Sequence, residues 1–149
     1  MAEHIWKIEW DDSMSVGIPE IDEEHKHFAF LINEFNHSIL DHKDLLEIKS
    51  RLRLILDDAV QHFSHEERLF KEWQYPDADD HALKHAQALT ALADIWEKFI
   101  SYGLEPEWIS AGLAIKDLLI THILKEDLKY AEYYRNFRAI GRNGNVRGS

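Results

Sequence analysis

The chain has 149 residues, of which 45% are hydrophobic and 30% charged, and a formal net charge of −11. This size and composition suit one globular domain with a continuous core, and the negative charge disfavours non-specific binding to nucleic acid or to an anionic membrane. The lack of cysteine excludes disulfides, thiolate zinc sites, iron–sulfur clusters and a cysteine nucleophile.

The first residues, Met1 to Trp10, contain no apolar run of the kind that makes a secretory signal. No window reaches about 18 uninterrupted apolar residues, so no membrane insertion is expected and a cytoplasmic protein is the default. Residues 1–18 hold Trp6, Trp10 and Val16 and are expected to lie as an arm along the body of the fold. The body has few helix breakers: the chain carries only 3 prolines and 6 glycines, and Gly141, Gly144 and Gly148 fall near its end. Long helices follow.

Four segments carry apolar residues at helical spacing. The first runs from about Pro19 to Ile39, with Pro19 suited to a first helical position and Glu20, Asp22 and Glu23 in the turn where the helix dipole favours acids. The second runs from about Leu45 to Trp73, capped by Asp41 or Asp44 and ended by the Tyr75-Pro76-Asp77 turn. The third runs from about Asp79 to Tyr102 and stops at Gly103; Pro106 opens the fourth, which continues to about Phe137. Short connections imply antiparallel neighbours. The expected fold is all-α: an up-down-up-down four-helix bundle over residues 19–137 with an N-terminal arm. Residues 138–149, rich in Gly, Asn and Arg, are expected to be a flexible tail.

Ten histidines are present, and several fall on the apolar faces. His81 and His85 are four apart, one turn along one face; His62 and Glu66 have the same spacing on the preceding helix. His25 lies among Phe28, Ala29 and Ile32, and His122 among Leu118, Leu119 and Ile123. Each helix therefore offers an inward histidine. One core histidine is ordinarily just hydrogen-bonded. A group of them without a metal would leave many polar atoms to satisfy, and bundles build metal sites from inward side chains on facing helices.

The motifs W-D-D-S-M-S-V-G-I-P-E-I-D-E-E-H ending at His25, H-F-S-H-E-E from His62, Y-P-D-A-D-D-H-A-L-K-H ending at His85 and H-I-L-K-E-D ending at Asp127 carry a family resemblance. The sequence resembles the hemerythrins, most closely the bacterial single-domain members, from roughly Trp10 to Tyr134. The resemblance implies a cofactor of two iron ions with a bridging oxo or hydroxo group and with dioxygen as the ligand. His81, His85 and His122 would bind one iron, His25 and His62 the other, and Glu66 and Asp127 would bridge them. Helical spacing alone points from His122 to Glu126, four residues on. Asp127 is five on, about 140° round the helix at 3.6 residues per turn, and the resemblance selects it as a carboxylate that approaches from another side.

With six positions per iron, this set leaves one position open on the iron of His25 and His62. The implied function is reversible dioxygen binding for transport, storage or delivery. A sensor of oxygen, nitric oxide or redox state is the alternative, and a di-iron oxidase or peroxidase a third. Five neutral imidazoles with only two carboxylates favour the ferrous state and binding over oxidation, since oxidases of this type use carboxylate-rich sites. The protein is not expected to be an enzyme beyond a weak side activity. By helical phase, Phe28, Phe63, Leu118, Leu119 and Ile123 would line an apolar oxygen pocket. Leu118 stands where the family often has tryptophan, leaving more room. Tyr130, three residues after Asp127, would hydrogen-bond behind the ligands. Glu67 is expected on a solvated face, and His65, one turn from His62, is given no role because the resemblance does not call for a histidine there. Protein partners are not indicated.

Overall fold

The computed structural model describes residues 7–102 and 105–148, and side chains within 7–100 and 108–140. Trp6 and Gly103 lie outside the described residues. Helix α1 spans Pro19–Leu40, α2 Leu45–Trp73, α3 Ala78–Tyr102, α4 Glu105–Thr121 and α5 Leu128–Gly148. A π-helical turn, His122–Asp127, joins α4 to α5, so these three pieces form one fourth rod. Among the described residues there is no strand. The rods pack in a ring, α1 on α2, α2 on α3, α3 on α4 and α4 on α1, which makes the chain an all-α four-helix bundle.

The ends of the helices follow from local chemistry. Pro19 opens α1, with Glu20 and Asp22 in its first turn. Asp44 caps α2 by accepting a hydrogen bond from the Glu47 amide, so of the two candidate caps Asp44 serves. Gln74 closes α2 in the left-handed conformation. The helical backbone of α5 continues to Gly148, beyond the end near Phe137 expected from the glycines; a helix interior tolerates glycine at a cost of about 1 kcal/mol each against alanine.

Ahead of α1, residues 8–18 pack against the bundle. Ile8 exchanges two hydrogen bonds with the Asn33 side chain, N–H to Oδ1 at 2.7 Å and C=O from Nδ2 at 2.9 Å. Asp11 caps a short 3₁₀ turn, Asp12–Met14. Asp22 then accepts from Ser15 Oγ at 2.6 Å and from the Val16 amide at 2.9 Å. Ile8, Met14, Val16 and Ile18 are buried.

The core divides into two apolar clusters. One holds Phe28, Ile32, Phe35, Ile55, Phe63, Phe99, Ile115 and Leu119; the other holds Val16, Ile21, Phe70, Trp73, Tyr75 and Tyr130. The site falls where the two clusters meet: His25 lies between Ile21 and Phe28, Glu66 between Phe63 and Phe70, and Asp127 between Ile123 and Tyr130. The polar site is thus a layer inside an apolar column.

Near the far end α1 and α4 approach closely at Gly112. A Cβ built there would lie 1.7 Å from Asn36 Oδ1, and Asn36 is buried, its Nδ2 3.5 Å from the Gly112 carbonyl. Gly112→Ala is therefore expected to destabilise the fold by roughly 1–3 kcal/mol, the usual cost of overpacking. Denaturant unfolding checks this, and Asn36→Ser should recover part of the loss; an unchanged midpoint would contradict the close approach.

Candidate metal centre

Seven side chains converge between the clusters: His25 from α1, His62 and Glu66 from α2, His81 and His85 from α3, and His122 and Asp127 from the π turn. None exceeds 6% exposure. Their potential ligand atoms form two groups in which all atoms lie within 4.8 Å of one another. One group is Glu66, His81, His85, His122 and Asp127; the other is His25, His62, Glu66 and Asp127. The two carboxylates belong to both groups.

Asp127 shows the sharing most directly. Its Oδ1 is 3.0 Å from the Nε2 atoms of His81 and His122, and its Oδ2 is 2.9 Å from His25 Nε2. Glu66 Oε1 is 3.0 Å from His85 Nε2 and 3.5 Å from His62 Nε2. The π turn explains how Asp127 reaches this position. Its i→i+5 pattern brings a residue five positions on over the one that starts the turn, so Asp127 stands beside His122. The expected approach from another side, based on uniform α-helical spacing, is corrected accordingly. Glu126 instead turns outward to Lys129, at 3.3 Å.

The donors fit a cation better than they fit one another. The Nε2 atoms of His25, His62, His81 and His122 and both oxygens of Asp127 are buried without a hydrogen-bond partner. They are near each other but not in hydrogen-bond geometry. A buried polar group left so costs about 1–3 kcal/mol. Histidine nitrogen and carboxylate oxygen suit first-row divalent metals, and a cation would satisfy all of these atoms together.

A second set of side chains holds the first. Glu24 Oε1 lies 2.6 Å from His62 Nδ1, and its Oε2 lies 2.6 Å from His65 Nδ1. Glu67 Oε2 lies 2.9 Å from His85 Nδ1. Tyr130, fully buried, donates its hydroxyl proton to Glu66 Oε2. Glu67 is thus not a merely solvated side chain; although it is partly exposed, its carboxylate reaches in to His85. Sequence reasoning missed Glu24 altogether, and gave His65 no defined contact. The signal was present as the adjacency of Glu24 to His25, but only the packing of α1 on α2 shows that Glu24 reaches His62.

The charges respond to these contacts. Burial opposes ionisation of Asp127, but His122, His25 and His81 outweigh it and hold its carboxyl well below the ordinary 3.8. Burial also opposes the charged form of His25 and of His122, yet Asp127 and then Glu66 raise both above the ordinary 6.5. Burial likewise works against the Glu24 carboxylate, and His62 and His65 overcome it, lowering its pKa. Tyr130 is held well above the ordinary phenol value by burial, then by the Glu66 and Asp127 charges.

An apolar cavity of about 20 Å³ adjoins the site. Phe28, Phe63, Leu118 and Leu119 line it, with His122 at its edge. Ile123, the fifth residue expected there, is buried in the core and does not line it. Phe63 stacks on the His85 ring at 4.1 Å and meets His62 and His122 at 5.9 and 5.3 Å. Leu118, half-buried, also borders an outer cleft between α3 and α4.

Comparison with known proteins agrees with this architecture. The family model for the hemerythrin HHE cation-binding domain matches residues 16–134. This chain belongs to the hemerythrin family. It is similar to a hemerythrin-like protein of Naegleria gruberi, 31% identical over 81% of this chain and 88% of that protein. It is similar as well to a bacteriohemerythrin of Campylobacter jejuni, 27% identical over 76% of this chain and 85% of that protein. A myohemerythrin of Theromyzon tessulatum is 28% identical over 82% and 89% of the two chains. A hemerythrin domain is a non-haem iron, oxygen-binding domain, and the buried histidine and carboxylate cluster is where this chain could bind metal.

The charges of the metal-free protein predict opposite pH responses. His25 and His122, with raised pKa values, stabilise the fold fully below the ordinary 6.5 and lose that contribution as pH rises through their higher folded values. Asp127, with a lowered value, contributes above the ordinary 3.8 and loses it as pH falls through its folded value. The metal-free chain should therefore be most stable between those two ordinary values, whereas metal binding, which needs neutral imidazoles, should strengthen as pH rises. Denaturant midpoints recorded across pH with and without metal test this; parallel profiles would contradict it.

Proposed function

We propose that the chain binds dioxygen reversibly at a di-iron centre held by His25, His62, Glu66, His81, His85, His122 and Asp127, and serves in oxygen transport, storage or delivery. The observation that carries this reading is the division of the buried donors into a three-histidine and a two-histidine group that share two carboxylates. The two-histidine group supplies fewer donors, so the open position falls beside His25 and His62. When bound, the iron pair supplies the electrons that dioxygen binding draws on.

The protein's own residues do the rest. Glu24 and Glu67 fix the outward Nδ1 atoms of His62 and His85, so each ring presents Nε2 to the centre. Tyr130 holds one oxygen of Glu66 and so orients that carboxylate. Phe28 and Phe63, whose rings lie 5.7 and 5.9 Å from that of His62, give the open position apolar neighbours that disfavour water there. The donor set carries little anionic charge, which favours the ferrous state. That supports binding over substrate oxidation.

The test is to load the protein with iron, reduce it without air, and record its visible spectrum as oxygen is admitted and withdrawn. One iron pair per chain is expected, with a charge-transfer band that appears with oxygen and fades on its removal. Immediate oxidation with turnover of reductant would move the enzyme reading ahead. Asp127→Asn, which removes the charge shared between the two groups, should lose the iron pair. Glu24→Ala and Glu67→Ala should each lower metal affinity by roughly 10–100-fold, the usual effect of removing a carboxylate behind a histidine ligand. Chelator competition measures that loss, and exposed Glu23→Ala should show none.

A further inference from the structure

Aromatic side chains form a line from the metal centre to the protein surface. Tyr130 begins it, with its hydroxyl on Glu66 and its ring fully buried. The Trp73 ring lies 5.8 Å from the Tyr130 ring, centre to centre, and the Tyr134 ring 4.7 Å from that of Trp73. Trp73 is 5% exposed and Tyr134 half-buried, so the line reaches solvent at Tyr134. A side branch through Tyr75 ends at Tyr133, whose hydroxyl is already donated to the carbonyls of Trp73 and Gln74.

Tyrosine and tryptophan are the side chains most easily oxidised by one electron without losing their bonds. Packing alone would account for rings in contact. A buried phenol also needs an acceptor, which Glu66 supplies, but neither requirement calls for an unbroken run of oxidisable rings from that carboxylate to the surface. Tyr130 also has what a phenol needs in order to give up an electron: an acceptor for its proton in Glu66, already hydrogen-bonded.

We propose that Tyr130, Trp73 and Tyr134 conduct oxidising equivalents from the metal centre to the surface when the iron-loaded protein meets hydrogen peroxide, giving the chain a one-electron peroxidase activity toward small donors of the ascorbate class. The proposal rests on the di-iron reading above. Hydrogen peroxide is the oxidant: its O–O bond breaks and, with two electrons and two protons, it leaves as two waters. Ascorbate is the reductant and supplies both electrons, one at a time, with two protons, ending as dehydroascorbate. Each electron passes from the donor to Tyr134, from Tyr134 to Trp73, from Trp73 to Tyr130 and from Tyr130 to the centre. Tyr130 lends its phenol proton to Glu66 when it gives an electron inward and recovers it when Trp73 refills it. Tyr134 releases its proton to water and regains one with the electron from ascorbate.

The test compares the iron-loaded native chain with Trp73→Phe and Tyr134→Phe. Iron content and the reversible oxygen spectrum come first and should match in all three. Hydrogen peroxide is then added with a nitroso spin trap, the adduct is located by peptide mass mapping, and ascorbate oxidation is followed separately. The native chain should carry the adduct on Tyr134. Trp73→Phe should lose that adduct although Tyr134 is still present, and ascorbate oxidation should fall in both variants. Should Trp73→Phe fail to fold, Tyr134→Phe decides alone: the adduct should move inward to Trp73. An adduct on Tyr134 that persists in Trp73→Phe, or that forms equally in iron-free protein, overturns the proposal. A native chain that holds no iron overturns the di-iron reading and this one with it, whereas normal iron and oxygen binding without a Trp73-dependent adduct overturns this one alone.

Discussion

Two carboxylates buried among five imidazoles at mid-bundle are the constraint to which the rest of the structure answers. Glu66 and Asp127 are fully buried, and moving a carboxylate out of water costs several kcal/mol even after relaxation. The imidazoles repay part of that by taking up protons, as the raised values of His25 and His122 show. They cannot repay all of it, because both oxygens of Asp127 still lack a hydrogen bond. A bound cation resolves the conflict. The apolar clusters on either side, from Phe35 to Leu119 and from Ile21 to Tyr130, keep the bundle folded around a layer that does not stabilise itself.

The precision of the layer comes from two devices beyond the donors. One is the π turn. Among the described residues, each other rod presents its donors one α-helical turn apart or singly. The fourth must place a histidine and a shared carboxylate at the same level, and it does so by widening its own turn. The other is the ring of outer contacts. A histidine has two nitrogens, and the contact made by one settles what the other can do. Glu24 and Glu67 occupy Nδ1 of His62 and His85, one in each donor group. Glu24 is further held by His65 through its second oxygen, so the carboxylate behind His62 is fixed at both ends.

Much of this was legible in the sequence. The apolar periodicity and the scarcity of glycine and proline place the first three helices within a residue or so of their observed ends. The inward histidines follow from the same periodicity, and the motif resemblance adds Asp127. What uniform helical spacing cannot supply is a change of helix type: His122 and Asp127 look misaligned until the turn between them is π. Contacts between helices are equally silent in one sequence. Glu24 and Glu67 lie next to His25 and Glu66 and, on phase alone, point away from them. They matter because a neighbouring helix brings His62 or His85 within reach. Tyr130 was readable because its partner lies across an apolar face where a phenol must find an acceptor. The end of the last helix was not readable, because Gly141 and Gly144 signal a break in composition that the backbone does not take.

The size of the cavity bears on what the centre can act upon. At about 20 Å³ it exceeds the roughly 10–15 Å³ that one water needs. Pockets for organic ligands run to about 300–1,000 Å³. This cavity, which reaches His122, is far too small for an organic substrate. Two open clefts are larger: one of about 330 Å³ at Leu118, which reaches His122 and is flanked by Lys84, Lys125 and Glu126, and one of about 440 Å³ beside Glu24 and His65, which reaches His62. What disfavours direct attack on a bulky substrate at the metals is the donor charge, two carboxylates among five imidazoles. Chemistry on larger molecules can also reach them at a distance: the contact from Glu66 to Tyr130, through Trp73 to Tyr134, carries electrons inward to the centre and oxidising equivalents outward, and requires no substrate to enter.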